Sequence, residues 1–341
     1  MTDTLEAPTG TPAPKKPKGR KKSHPIRSLL VRRLMTGVVS VFVISIVVYA
    51  ATLVLPGDAA TAILGQQATP QRLADLRHQL HLDQSPISGY LSWISGALRG
   101  DFGTSLTQGQ PVWDLMGPRL ANSIVLIAVT AIVSTILGVL LGMWAAARHD
   151  SWIDHSLSVT ALVASSLPEF VVAVFVVMVF AVTVFTWFPA VSILALGEHI
   201  WNEPNKLVLP VVALVIVVTP YVFRMFRASL LEAMTSDYVE VATLKGASTR
   251  RLLFGHALPN SLAATIQVVG LNLLYLAGGI ALVETVFQYP GIGLSLVASI
   301  TDRDVPVIQF LVVLLAIAYV FLNVATDVAV LLVTPRRRLP R

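Results

Sequence analysis

The feature that most constrains this chain is its set of long stretches without a charged residue. Leu34 to Gly57 is 24 residues free of Asp, Glu, Lys and Arg, and a hydrocarbon core about 30 Å thick is crossed by roughly 20 apolar residues in a helix. Reading such stretches along the chain predicts six membrane helices, at about 34–55, 120–146, 157–184, 207–223, 262–285 and 306–333. The third is interrupted by Pro168-Glu169 and the last carries Asp327. Composition agrees: 55% of the 341 residues are hydrophobic and 13% charged, against roughly 25% charged in a soluble domain. The fold class is therefore all-α and polytopic, with six transmembrane helices.

The charges that remain are unevenly placed. Net charge is +6 with a pI near 9.7, the balance that accompanies nucleic-acid binding, but its distribution points elsewhere. Lys15, Lys16, Lys18, Arg20, Lys21 and Lys22 sit among Pro, Gly and Thr in the first 25 residues, a composition unable to bury a core. This tail, 1–25, reads as a disordered basic cytosolic anchor beside the lipid bilayer, not as a nucleic-acid site. A secretory signal peptide is the rival, because Ala60-Thr61-Ala62 imitates a cleavage site, but the 24-residue apolar run exceeds the roughly 7 to 15 residues of an h-region. There is no cysteine, which excludes disulfides, thiolate metal sites and Cys nucleophiles.

With the amino terminus placed inside, the inner segments carry nineteen Lys or Arg and the outer ones six, so both termini are expected in the cytoplasm. The outer segment 56–118 reads as a small folded element. Thr69-Pro70 offers an N-cap followed by Pro at N1, with Leu73, Leu76 and Leu80 at helical spacing behind it. Trp93, Trp113, Trp187 and Trp201 fall near outer boundaries, where interfacial aromatic rings collect.

The cytoplasmic segment 224–261 carries the signals of two short helices around a glycine. Asp237 is suited to cap a helix with Glu240 at N3, and the run Tyr238 to Lys245 ends at Gly246, the residue best suited to a left-handed C′ position. Ser248 or Thr249 then starts a second helix expected to end before Pro259. It opens with Arg250 and Arg251, cations at the positive end of a helix dipole. Something acidic should compensate, either lipid phosphate or the surface of a cytosolic partner.

Several chemistries are missing. No Gly-Lys dipeptide occurs, so there is no P-loop. Glu198-His199 continues as Ile200-Trp201-Asn202, so there is no H-E-x-x-H, and no metal site is expected. An aspartyl protease within the membrane needs two facing aspartates, and only Asp327 lies in a span. No catalytic residue is assigned, and the chain is expected not to be an enzyme. Ionisable residues inside a membrane are rare and costly, so Glu169, Glu284 and Asp327 each carry two readings, functional and structural. Glu169 follows the break in the third span, where a cavity can be lined. Glu284 and Asp327 suit a structural ion pair or cap. Ser166, Glu169, Asn272 and Glu284 are taken as polar candidates for a substrate pathway, and Asp327 as a structural intramembrane charge.

Glu240-Val-Ala-Thr-Leu-Lys-Gly246, nine residues, then His256-Ala-Leu-Pro259 resembles the E-A-A-x-x-x-G-x(9)-I-x-L-P motif of ABC importer membrane subunits, with Val241 for the first Ala and His256 for Ile. Leu55-Pro-Gly-Asp58, Leu82-Asp83 with Pro86, Gly100-Asp-Phe-Gly-Thr-Ser105 and Pro111-Val112 are similar to the outer domain of the B-type permease of oligopeptide and dipeptide importers. Glu284-Thr-Val-Phe-Gln-Tyr-Pro-Gly-Ile-Gly293, Arg303-Asp-Val-Pro306 and Asn323 with Asp327 resemble its carboxyl-terminal third, and Thr334-Pro-Arg stands where Asp-Pro-Arg is usual. The likeness spans residues 28–338.

The resemblance implies a type I importer fold in the cell (inner or plasma) membrane. It also implies a C-type permease as heterodimer partner, two ABC ATPase subunits or one fused ATPase on the cytoplasmic loops, and an external peptide-binding protein. ATP and Mg would be used by those ATPases, with no cofactor on this chain. The coupling loop would comprise Asp237, Tyr238, Glu240, Ala242, Lys245, Gly246, Arg250, Arg251 and Pro259. The chain then divides into the tail 1–25, a first helix with external subdomain at 26–118, a core permease domain at 119–335, and a basic tail at 336–341. Nickel or glutathione importers share this permease type. An ion-coupled secondary carrier would need charges near the midplane and inverted repeats, neither of which is visible, and the coupling-loop match disfavours both a carrier and a non-transport scaffold.

Overall fold

A computed structural model describes residues 25–54, 69–79, 85–195 and 198–333. The tails read at 1–25 (up to Lys22 and its neighbours) and 336–341, Leu55–Asp58, Ala60–Ala62, Leu82-Asp83 and Thr334-Pro-Arg lie outside the described residues. Among those described, regular structure is helical, with one isolated antiparallel bridge between Thr104 and Pro111. In chain order the helices are α1 Pro25–Val54, α2 Pro70–Gln79, α3 Pro86–Leu98, α4 Val112–Ala147, α5 Trp152–Ser166, α6 Glu169–Val177, α7 Asn205–Met234, α8 Asp237–Leu244, α9 Thr249–Leu252, α10 Leu258–Phe287, α11 Ile292–Asp302 and α12 Val305–Val333.

Among the described residues, five helices are long and apolar enough to cross a membrane: α1, α4, α7, α10 and α12. The span expected at 157–184 is not one rod. α5 and the helix from Glu169 to Thr183 meet at a 102° bend, because Leu167 before Pro168 is extended at ψ 134 and Pro168 begins the next helix. Counting that pair as one span gives six. The span expected at 207–223 runs on to Met234, since neither Arg224 nor Arg227 ends it: Arg224 lies over the Tyr221 ring at 5.6 Å and Arg227 pairs with Asp154. The span expected from 120 begins at Val112, with Pro118 and Arg119 inside it; Arg119 Nη1 donates to Ser295 Oγ at 2.6 Å.

α7 is the axis of the bundle. Two thirds of its most apolar window (67%) is buried, against 17% for α1, and it packs on α4, α5, α6 and α10. The main core gathers Leu126 of α4, Val172 and Val176 of α6, Leu209 to Val218 of α7, and Leu276, Ile280, Val283 and Phe287 of α10. Lipid is as apolar as these side chains, so close packing, not water exclusion, must hold the helices together. Gly138 and Gly142 provide it on α4: a Cβ at Gly138 would lie 2.6 Å from Val222 Cβ, and one at Gly142 2.9 Å from Phe226 Cδ1.

α1 is peripheral, resting on α12 and on α3. Ser85 caps α3 through the Ser88 N–H at 3.3 Å with Pro86 at N1, and α3 docks through Tyr90 and Trp93 on Tyr49, at ring separations of 5.4 and 6.0 Å. The expected helix after Thr69-Pro70 is α2, where the Leu73 N–H bonds the Thr69 carbonyl at 2.9 Å.

Candidate functional site

The candidate site residues gather mainly in two regions of the molecule. In the first, three span midpoints converge. Tyr275, midway along α10, donates its hydroxyl to Glu169 Oε2 at 2.9 Å, and its ring stands 6.3 Å from that of Tyr221, midway along α7. Arg224 lies one turn further on. Glu169 is half-buried, while Tyr275 and Arg224 are exposed. Ser166, on the other side of the bend, is exposed and donates to the Leu162 carbonyl at 2.8 Å.

The other two pathway candidates turn away from this surface. Asn272 is buried, and its Nδ2 meets no acceptor among the described residues. Glu284, expected among the pathway residues, is fully buried and accepts from Ser123 Oγ at 2.6 Å and from the N–H groups of Gly293 at 2.7 Å and Leu294 at 3.0 Å. Its carboxylate thus caps the first turn of α11 from the neighbouring helix, where orphan N–H groups and the helix dipole favour an anion. That leaves it no surface to offer a substrate. Burial, with the Glu284 carboxylate adding to it, pushes the Tyr289 phenol up from its ordinary value, so it remains a neutral donor, bonded to the Asn122 carbonyl at 2.7 Å. Asp327 pairs with Arg33 of α1, Nε to Oδ2 at 2.8 Å; the contact is ionic, since the N–H does not aim at the oxygen.

The second region is the segment between α7 and α10. Only 235–248 forms the turn region proper, because 224–234 belongs to α7. The N-cap of α8 is Ser236, not Asp237: Ser236 holds the extended cap geometry at φ −79, ψ 150, and its carbonyl accepts from Val239 at 2.9 Å and Glu240 at 3.1 Å. Asp237 is then N1 and Glu240 N4, one position past a capping box, with both acids still in the positive first turn. At the other end, the Ala247 N–H bonds the Ala242 carbonyl at 3.1 Å and the Gly246 N–H that of Thr243 at 2.9 Å, with Gly246 at φ +79. This is the Schellman pattern, and the positive φ is what glycine supplies. Val239 is buried and Ala242 half-buried. Tyr238, Val241 and Leu244 are 39%, 48% and 82% exposed, an apolar stripe on the outward face, with Asp237, Glu240, Lys245 and Gly246 also exposed.

The helix expected to end before Pro259 does not end there. α9 passes through a π turn, Leu253–Ala257, directly into α10, with Pro259 at its start. The Leu258 N–H bonds the Leu253 carbonyl, the i to i−5 step of a π turn, immediately before Pro259. Arg251 is exposed; Arg250 opens the same helix.

Sequence reasoning also passed over Asp154. It is buried at the start of α5 and grips Arg227 of α7 with both oxygens, Nε–Oδ1 and Nη2–Oδ2 each 2.5 Å. His149, Asp150 and Asp154 bring three ligand-type atoms within 4.8 Å of one another, but the guanidinium already occupies the Asp154 carboxylate.

The described residues form an all-helical bundle of membrane-crossing length with a short capped helix outside it, and comparison with known proteins makes the class specific. Residues 138–339 match the family described as binding-protein-dependent transport system inner membrane component, and residues 26–127 match its amino-terminal companion. The chain belongs to this family. It is 35% identical to a probable peptide ABC transporter permease, y4tP, of Sinorhizobium fredii over 91% of its own length and 98% of that relative. It is 32% identical to the dipeptide transport system permease DppB of Alkalihalophilus pseudofirmus, over 90% and 98% of the two chains. A third relative, the glutathione transport system permease GsiC of Escherichia coli, is 31% identical over 91% and 98%.

Proposed function

We propose that this chain is one membrane subunit of an ATP-driven importer of di- or oligopeptides. It would pair with a C-type permease, receive substrate from an external binding protein docked near the 56–118 segment, and be driven by two ABC ATPase domains that bind α8 and the turn at Gly246. Both termini would then be cytoplasmic, in the cell membrane, and ATP and Mg would belong to the ATPases. The observation that carries this reading is α8 itself, a short capped helix outside the bundle that exposes Tyr238, Val241 and Leu244 in one stripe. An apolar stripe rimmed by charge is the surface of an interface. The acids Asp237 and Glu240, with the exposed Arg251 of α9, give such an interface its polar rim.

Closure of the ATPases would move α8, held against α9 at Gly246, as one rigid knob, switching the bundle between inward-open and outward-open states. Gly246→Val tests this directly, because a β-branched residue at φ +79 is strained while the space around it is open. In proteoliposomes holding the complete importer, the variant should insert normally and lose most of its ATP-dependent peptide uptake; uptake at the wild-type rate would overturn the coupling assignment. The likeness to GsiC makes glutathione, itself a tripeptide, the second substrate to try in the same assay.

A further inference from the structure

Glu169 combines properties that a purely structural residue does not need. It sits where α5 and α6 break, at the middle of the bent pair, and meets Tyr275 at the middle of α10. Among the described residues its carboxylate forms no ion pair, and its one hydrogen bond comes from a neutral phenol at Oε2. The other oxygen, Oε1, faces Gly279, where an added Cβ would lie 3.3 Å away, and a Cβ at neighbouring Gly278 would meet nothing within 4 Å. Gly279 thus lets α10 come up to the carboxylate with no side chain between them, and open space lies one residue along the same helix at Gly278.

A carboxylate held at that depth is costly unless donors or a cation meet it; Glu284 has three donors, whereas Glu169 has one phenol and its place in the first turn of α6. The walls around Glu169 suit a small cation. Tyr221 and Tyr275 set two electron-rich rings side by side at 6.3 Å, and the Tyr221 ring already carries a cation, Arg224, at 5.6 Å on one side. Ring faces and a carboxylate together make the chemistry that recognises an ammonium group.

We propose that Glu169, oriented by Tyr275, is the subsite through which this permease takes hold of the primary ammonium of its cargo. The assignment rests on the peptide-importer reading above and adds which atom of the cargo is met, and by what. The competing source of the cation is a Lys or Arg of the partner permease. The two differ in titration, because an α-amino group loses its proton near pH 8 and a lysine near 10.4, while arginine stays charged.

The experiment uses the complete importer with its binding protein in proteoliposomes and radiolabelled dialanine as the probe. Uptake is measured for wild type, Glu169→Gln and Tyr275→Phe between pH 6.5 and 9.5. Dividing wild-type by variant uptake at each pH cancels titration of the binding protein and the ATPases. The expected ratio for Glu169→Gln is about tenfold at pH 6.5, the loss of one charge-assisted contact, falling toward one by pH 9.5 as the cargo's ammonium deprotonates. Tyr275→Phe keeps the anion and should give a smaller ratio, about threefold, with the same pH course. A ratio flat across the range, a ratio of one throughout, or failure of Glu169→Gln to co-purify with its partner permease overturns the proposal, the last in favour of a partner cation. If instead wild type takes up no dialanine under ATP, the peptide-importer reading itself has failed, an outcome separate from all of these.

Discussion

At the scale of single residues, the buried charges show how a lipid-embedded chain satisfies its polar atoms. Glu284 is the acceptor for three donors at the head of α11, and Gly291 is glycine because a Cβ there would occupy the position of that carboxylate. Gly291→Ala should therefore push the carboxylate off the Gly293 and Leu294 N–H groups and cost about 3 kcal/mol, overpacking and lost hydrogen bonds together. The midpoint of thermal unfolding of the detergent-solubilised chain measures this. A midpoint unchanged from wild type would mean that the cap is not formed. Part of this site was legible in the sequence: Glu284 stood out as an ion within a span, and a cap was among its readings. Its partners were not, since Ser123 is 161 residues away and a serine in an apolar helix carries no distinguishing pattern. The same holds for Asp154 and Arg227. Neither carries a pattern that singles it out in the sequence, and only the fold places one against the other at 2.5 Å.

At the scale of elements, the long apolar helices were readable from charge-free length alone, and their ends were not. Charges that seemed to close a span proved to be held inside it, Arg227 by the carboxylate of Asp154 and Arg119 by a hydrogen bond to the Ser295 hydroxyl. Proline at 168 announced a break but not its angle of 102°. The α4–α7 contact did leave a trace in Gly138-Val-Leu-Leu-Gly142, the small-residue spacing that lets membrane helices approach closely. Gly142→Leu should wedge the two helices apart at Phe226, where a Cβ alone would already stand 3.1 Å from the Phe223 carbonyl oxygen. We expect a loss of about 3 kcal/mol or more, beyond the usual overpacking range because backbone is in the way, read as reduced yield of folded chain in the membrane and a lower unfolding midpoint. Leu137→Ala, on the exposed flank of the same helix, should change neither, and an equal effect from both would remove the packing explanation.

At the scale of the molecule, the outer segment is tied to the bundle by apolar packing and by one carboxylate. Asp304, buried between α11 and α12, accepts from the hydroxyls of Ser105 and Thr107, the latter at 2.8 Å, and from the Leu106 N–H at 3.1 Å. Beside it Phe102 packs edge-on to Phe310 at 4.7 Å. Two motifs that the sequence offered separately, Gly100–Ser105 and Arg303–Pro306, are thus the two halves of one latch. Neither half alone announces the other across almost 200 residues. Asp304→Ala leaves three donors without their acceptor, and the turn between Asp101 and Gln110 should loosen while the α4–α7–α10 core keeps its packing. Limited proteolysis of the purified chain should then cut within 101–110 several-fold faster than in wild type, with Asp304→Asn, which keeps one acceptor oxygen, in between. If the outer segment receives the binding protein, the same variant should weaken stimulation of ATP hydrolysis by loaded binding protein more than it lowers basal hydrolysis. Equal proteolysis of all three chains would show that the aromatic contact, not the carboxylate, holds the outer segment down.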